Sequence, residues 1–219
     1  MIETSTECCS VALSDGNRIL AEKIDTTPRQ QSAMLAPHVA QVLQEAGLTT
    51  AGLDAVAVSE GPGSYTGLRV GVSTAKGLCF GGGIPLIGID TLQILALQAK
   101  GRFDRIVAMI DARRMEVYAA IFDGDGHKLS DTEAVILDAD SYQELLEAGT
   151  VLFIGTGAAK FRDVCRHPNA FFQDCPPLAA FMLRPAREAL QKKEFEDTAY
   201  FEPFYLKEFV AGISKKAVL

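Results

Sequence analysis

The sequence predicts an α/β protein of two similar lobes, each a mixed β-sheet with flanking helices, and three observations lead there. Apolar runs of strand length alternate with segments patterned as helices along the whole chain. Each half has an apolar strand emptying into a Gly-x-Gly turn before a helix, Val56 to Gly63 in the first and Val151 to Gly157 in the second. The halves also align without a gap. Ile2-Glu3-Thr4-Ser5-Thr6 through Asp15-Gly16 matches Ile110-Asp111-Ala112-Arg113-Arg114 through Asp123-Gly124, both reading apolar, acid, polar turn, strand, Asp-Gly. Repetition at this length is the mark of a doubled unit. The first lobe is expected over residues 1–102 and the second over 103–219, with a C-terminal tail that packs back across one of them.

Taken in order, Ile2 to Thr4 ends a strand, and Ser5 and Thr6 form a polar turn. Cys8 to Ser14, the turn Asp15-Gly16-Asn17 and a strand through Ile24 make a hairpin. Gln31 to Ala46 spaces Leu35, Val39, Val42, Leu43 and Ala46 on one helical face, carries Pro37 near its first turns and stops at Gly47. Leu53 to Ser59 is too short for a typical helix and suits a buried strand. From Glu60 to Phe80 a turn containing Gly61 and Gly63 opens into a helix, with Thr66, and Ser64 behind it, offering the N-cap oxygen. Inside that helix Gly67, Gly71, Ala75 and Cys79 recur every fourth residue, beside Leu68 and Val72. A face so free of bulk invites close packing, either by another helix or by the lobe's own sheet, and exposure decides between them. Gly81-Gly82-Gly83, a strand from Ile84 to Ile89 and a short helix from Thr91 to Gln98 follow.

Composition narrows the function classes. The net charge of −7 opposes sequence-independent binding of a polyanion, since dense basic spots such as Arg113-Arg114 and Lys215-Lys216 are few and short. No apolar run approaches the ~20 residues of a membrane span. Nor is there a basic-then-apolar leader after Met1, so a cytoplasmic protein without membrane association is expected. Five cysteines without paired spacing fit a reducing compartment, and Cys165, His167 and Cys175 are the nearest approach to a metal cluster.

The motifs exclude more than they assign. Lys76 is followed by Gly77 in mid-helix, so the Walker loop is missing, and Gly61, Gly63 and Gly67 miss G-x-G-x-x-G by one position. Pro62 and Thr66 stand where a nucleophile elbow around Ser64 needs glycines. His38, His127 and His167 form neither H-E-x-x-H nor any H-x-x-x-H pair. Glu3 and Asp111, each ending a strand, either orient water or magnesium or cap the turn that follows them. Arg69, Arg113 and Arg114 serve equally as anion ligands or solvated charges. An acid at the first strand tip and a glycine turn beyond it, facing a crevice between lobes, resemble the ground plan of the actin, sugar-kinase and Hsp70 ATPase superfamily, with ribonuclease H-like lobes. There nucleotide binds between the lobes.

The string Glu60-Gly61-Pro62-Gly63-Ser64-Tyr65-Thr66-Gly67-Leu68-Arg69-Val70-Gly71 is more specific, and resembles the TsaB (YeaZ) family of bacterial tRNA threonylcarbamoyladenosine biosynthesis proteins. The likeness continues through Ile2 to Thr6, Pro85 to Ile89, Asp111 to Arg114, Glu116 to Tyr118 and Pro203 to Leu206. It implies an actin-like, non-catalytic subunit supporting the paralogue TsaD, which transfers a threonylcarbamoyl group from its adenylate to the adenosine beside the tRNA anticodon. A TsaE-like ATPase joins the pair. Thr91 and Leu95 stand where TsaD carries two metal-ligand histidines. The resemblance further implies a homodimer that gives way to a heterodimer through the two first-lobe helices, at Leu35, Val39, Val42, Gly67, Leu68, Gly71, Val72, Ala75 and Cys79. tRNA is reached only through the complex. No cofactor is required, with weak ATP or ADP binding placed in a cleft faced by Glu3, Thr4, Ser5, Asp111, Arg113, Gly155 and Gly157. The family's first strand has more apolar residues ahead of its acid, and many relatives carry an Asp where Thr156 stands between the glycines. A nucleotide-binding phosphotransferase is the alternative of a different class, and a peptidase a third.

Overall fold

The structure, a computed structural model, describes residues 1–28 and 30–207; Lys215-Lys216 and the tail beyond Lys207 lie outside the described residues. Two five-stranded sheets form the framework. The first holds β1 (Ile2–Glu3), β2 (Cys9–Asp15), β3 (Arg18–Asp25), β4 (Val56–Gly61) and β5 (Leu86–Asp90) in the order β3-β2-β1-β4-β5. The second holds β6 (Arg105–Asp111), β7 (Glu116–Asp123), β8 (Glu133–Ile136), β9 (Val151–Ile154) and β10 (Ala170–Gln173) in the order β8-β7-β6-β9-β10. In each, the first strand pairs antiparallel with a hairpin on one side and parallel with the remaining strands on the other. The repeat read from the sequence is thus a repeat of topology.

Alternation along each strand serves two cores because both faces of each sheet are covered. Ile2, Val11, Val56 and Val58 face α1 (Gln31–Glu45) and α2 (Tyr65–Gly82), which bring Leu35, Val42, Val72, Ala75 and Cys79 to the same core. Ala57, Ile87 and Ile89 point the other way, toward α3 (Thr91–Leu97), the 3₁₀ turn Ala179–Met182 and α6 (Leu183–Lys192). In the second sheet Val107 and Met109 pack with Leu146 of α4 (Gln143–Ala148) and Phe161 of α5 (Ala158–Val164). Ile106, Ala108 and Ile110 pack instead with Leu92, Leu95 and Ala96 of α3. Helix α3 therefore sends Ile94 into one lobe's core and its neighbours into the other's.

Local chemistry moved several boundaries. The N-cap of α2 is Ser64, whose Oγ accepts from Gly67 N at 3.2 Å, so the helix begins before Thr66. It runs through Gly82 and ends at Gly83, φ +63°, with Ile84 N donating to Cys79 O. That bond engages Ile84, and β5 starts at Leu86. The 3₁₀ turn Thr50–Gly52 occupies the approach to β4, which starts at Val56 rather than Leu53.

Candidate functional site

A cleft of about 1720 Å³ separates the lobes. Ser5, Thr6 and the turn from Pro62 to Gly67 line one wall, Asp111 to Glu116 and Thr156 the other. Of the residues expected to face it, Ser5, Asp111 and Arg113 do; Glu3, Thr4, Gly155 and Gly157 are buried and absent from its lining. The two acids nonetheless make the same local bond. Glu3 Oε1 accepts from Ser5 N at 2.5 Å, and Asp111 Oδ1 from Arg113 N at 2.6 Å, each fixing the turn after its strand. Their surroundings differ. Glu3 is wholly buried, among the described residues its Oε2 has no hydrogen-bond partner, and burial pushes its carboxyl up to about 7 against the pull of Ser5 and of the nearby Ser59. Asp111 is exposed and pairs with Lys160 Nζ at 2.7 Å, an ammonium that also donates to Glu116 O. Arg113 and Arg114 hold φ at +71° and +49°, which turns this lip of the cleft sharply.

The glycine turn is filled by the protein itself. Ser64 N donates to Ser5 O at 2.6 Å, and Thr4 Oγ1 donates to Gly67 O at 2.8 Å. A methyl group on Gly63 would meet the backbone of Ser5, one on Gly67 the Thr4 carbonyl, and one on Gly71 the Thr4 hydroxyl. Gly155 repeats this against the Met109 carbonyl, and Gly157 lies against the side chains of Val117 and Met109. The glycines are therefore spacers that let each helix approach the tip of its lobe's first strand.

This corrects the expected interface. Gly67, Leu68, Gly71, Val72, Ala75 and Cys79 are buried on the lobe's own sheet, as are Leu35 and Val42 of α1, and Val39 is half-buried in the same core. Their apolar neighbours Val56 and Val58 need covering, and the small-residue stripe covers them most closely. The surface left free is the opposite one. On α2 it comprises Thr66, Arg69, Ser73, Gly77, Phe80 and Gly81, where added methyls at Gly77 and Gly81 would meet nothing among the described residues and Phe80 is 88 % exposed. On α1, which packs beside α2, it includes Ala33, Ala36, Pro37 and Ala40, with Ser32, Gln41, Gln44 and Glu45 also exposed. The sequence did hold the signal: Ser73, Gly77 and Gly81 form a second stripe at the same spacing, flanked by Lys76 rather than by Leu68 and Val72.

The tail expected to pack back across a lobe does so from Glu196 to Lys207 as a strap, whose path no sequence pattern specified. It crosses the first sheet's edge, stacks Tyr205 on Tyr65 with ring centres 4.9 Å apart, and reaches the second lobe where Lys207 Nζ meets Glu116 Oε1 at 2.5 Å. Arg69 sits over the Tyr65 ring at 4.3 Å and donates from Nε to Tyr205 Oη. Cys165 lies in the aromatic core of the second lobe, His167 Nδ1 accepts from Asn169 N, and Cys175 is half-buried beside Gln173. Among the described residues no three His, Cys, Asp or Glu side chains gather to hold a metal. Burial lifts the Cys8 and Cys9 thiols to about 12 and about 11, far from thiolate reactivity at neutral pH. Thr91 and Leu95 are both fully buried.

Comparison with known proteins places this geometry. A family model described as TsaD, tRNA N6-adenosine threonylcarbamoyltransferase, matches residues 18–215. The tRNA threonylcarbamoyladenosine biosynthesis protein TsaB of Escherichia coli is 32% identical over 96% of this chain and 94% of its own. Its counterpart from Haemophilus influenzae is 30% identical over 95% and 93%. The solved structure of YeaZ from Pseudomonas aeruginosa superposes with a TM-score of 0.82 at 30% identity, covering 94% of this chain and 97% of that one. With its doubled sheets matched from end to end as well as its sequence, the chain belongs to the TsaB (YeaZ) family, of actin-like fold.

Proposed function

We propose that this chain is a non-catalytic scaffold subunit in threonylcarbamoyladenosine formation on tRNA, supporting a TsaD-like catalytic paralogue. The observation that carries this reading is the outer face of α1 and α2, where Ala33, Ala36, Ala40, Ser73, Gly77 and Gly81 form a small-residue patch bordered by Arg69, Gln41 and Gln44, and Phe80 stands out as an anchor. Small residues let a second helix pair approach to the short end of the usual 8–10 Å separation, and one exposed aromatic can carry much of the binding energy. The same face serves a homodimer when the chain is alone and is exchanged for the paralogue. A TsaE-like ATPase joins the assembled pair, and tRNA reaches this chain only through the complex, in keeping with its net charge of −7. No cofactor is required by this role, and ATP or ADP binds at most weakly in the cleft, whose buried acid Glu3 is sealed from it. The site of action is the cytoplasm; among the described residues no helix is long and apolar enough to cross a membrane.

Substitutions on the two faces of α2 test it. Ser73→Arg and Gly77→Arg point outward; Ser73→Arg is expected to change stability by no more than about 0.5 kcal/mol and Gly77→Arg to raise it by up to about 1 kcal/mol, while each abolishes both assemblies in size-exclusion chromatography. Val72→Arg buries an unpaired charge and is expected to unfold the chain. Unaltered co-elution of folded Ser73→Arg and Gly77→Arg proteins with the paralogue overturns the assignment.

A further inference from the structure

A carboxylate lies where the strap, the first sheet and the second lobe meet, and the role proposed above gives it no task. The strap is fastened at several points on the first lobe. Glu196 N donates to Leu86 O at 2.9 Å and Phe204 N to Glu60 O at 2.7 Å. Lys76 Nζ grips the carbonyls of Ala199 and Phe201 at 3.0 and 3.1 Å. Beyond Tyr205, among the described residues, the Lys207–Glu116 pair hooks it to the second lobe, and Phe204 to Lys207 line the cleft. The strap is therefore a bar across the cleft, held on both sides.

The Glu60 side chain sits beneath this bar. A methyl group built on Gly88 would stand 2.5 Å from Glu60 Oε2 and 3.1 Å from the Phe201 ring, so carboxyl and ring close the same spot over β5. Asp90 at the end of β5, Glu196 of the strap and Lys128 from the second lobe are the charges that act on it. Lys128 Nζ is already held by Asp90 Oδ2 at 2.6 Å and Thr132 Oγ1 at 2.7 Å. An ionised Glu60 is then a third carboxylate around one engaged cation, whereas a neutral one adds no charge.

We propose that the strap is a proton-controlled latch over the inter-lobe cleft, closed when Glu60 is protonated and released when ionised Glu60 meets the charges of Glu196 and Asp90. Burial first, then Asp90 and Glu196, push the Glu60 carboxyl from its ordinary 4.5 up to about 7, with Lys128 opposing. The closed form thus binds the proton more tightly than the released form, so closure weakens as pH rises from the ordinary value through about 7. Those two values bound the effect: linkage gives at most about a tenfold loss of closure between pH 6 and pH 8, since Asp90 stays beside Glu60 when the strap lifts.

Hydrogen exchange on the full chain, corrected for intrinsic rates, tests the latch without any substitution. Amide protection across 196–207, lost through local opening, is expected to fall by up to about tenfold from pH 6 to pH 8. Glu60→Gln should keep the strap protected at pH 8, and Glu196→Gln should shrink the response. Strap protection that ignores pH in the unsubstituted chain overturns the proposal. So does a pH response that survives in Glu60→Gln.

Discussion

Glu3 and Asp111 begin as equivalent residues and end with different chemistry. Each accepts the backbone N–H two residues on, a bond readable from the matched pattern of acid and polar turn. Their burial was not readable, because it depends on what covers each sheet. Glu3 pairs across the sheet with Ser10, whose Oγ accepts from Ala179 N at 2.9 Å, so a segment far along the chain closes over it. Desolvation then raises the Glu3 carboxyl from 4.5 to about 7. An acid so shifted binds its proton more tightly folded than unfolded, so its contribution to stability is full below the unfolded value and lost as pH climbs through the folded one. For a shift of this size the loss is roughly 3 kcal/mol between pH 4.5 and 8. Glu3→Gln keeps an acceptor for Ser5 N and carries no charge, so denaturant unfolding at pH 5.5 and 8 should show a clearly smaller difference in the variant than in the parent. Identical pH dependence in both would show that Glu3 does not titrate in this range.

Helix α2 explains how a correct periodicity led to the wrong face. Its sequence carries two stripes of small residues, and the helical period ranks neither above the other. The choice was made by partners distant in the chain: Thr4 at the first strand's end and the valines of β4, which demand a close cover. Two glycines one helix apart in role measure this. Gly67 lies against the backbone carbonyl of Thr4, which cannot swing away, so Gly67→Ala is expected to cost at least about 1–3 kcal/mol in denaturant unfolding. Among the described residues Gly77 has nothing within 4 Å of where its methyl would go, so Gly77→Ala should stabilise the isolated chain by about 0.5–1 kcal/mol. Equal effects of the two substitutions would mean that the faces are not distinguished as described.

At the scale of the molecule the doubled topology was legible because each sheet is written as a local sequence of strands, turn and helix. The traffic between the sheets was not, since α3, α6 and the strap are placed by contacts rather than by any pattern of their own. Helix α3 matters most here. Ile94 enters the core with Ile87, Ile89 and Met182, while Leu92, Leu95 and Ala96 enter the core with Ile106, Ala108 and Ile110. A helix of seven residues has little stability of its own, so either core loses the helix if the other does. This coupling makes the two lobes one cooperative unit despite their separate sheets. Leu95 is fully buried, and Leu95→Ala should cost about 2–5 kcal/mol, lowering a single calorimetric transition rather than splitting it. Independent lobes would behave otherwise: the variant would melt in two steps, the first-lobe transition staying where it is in the parent, and that outcome would refute the shared helix as the joint between them.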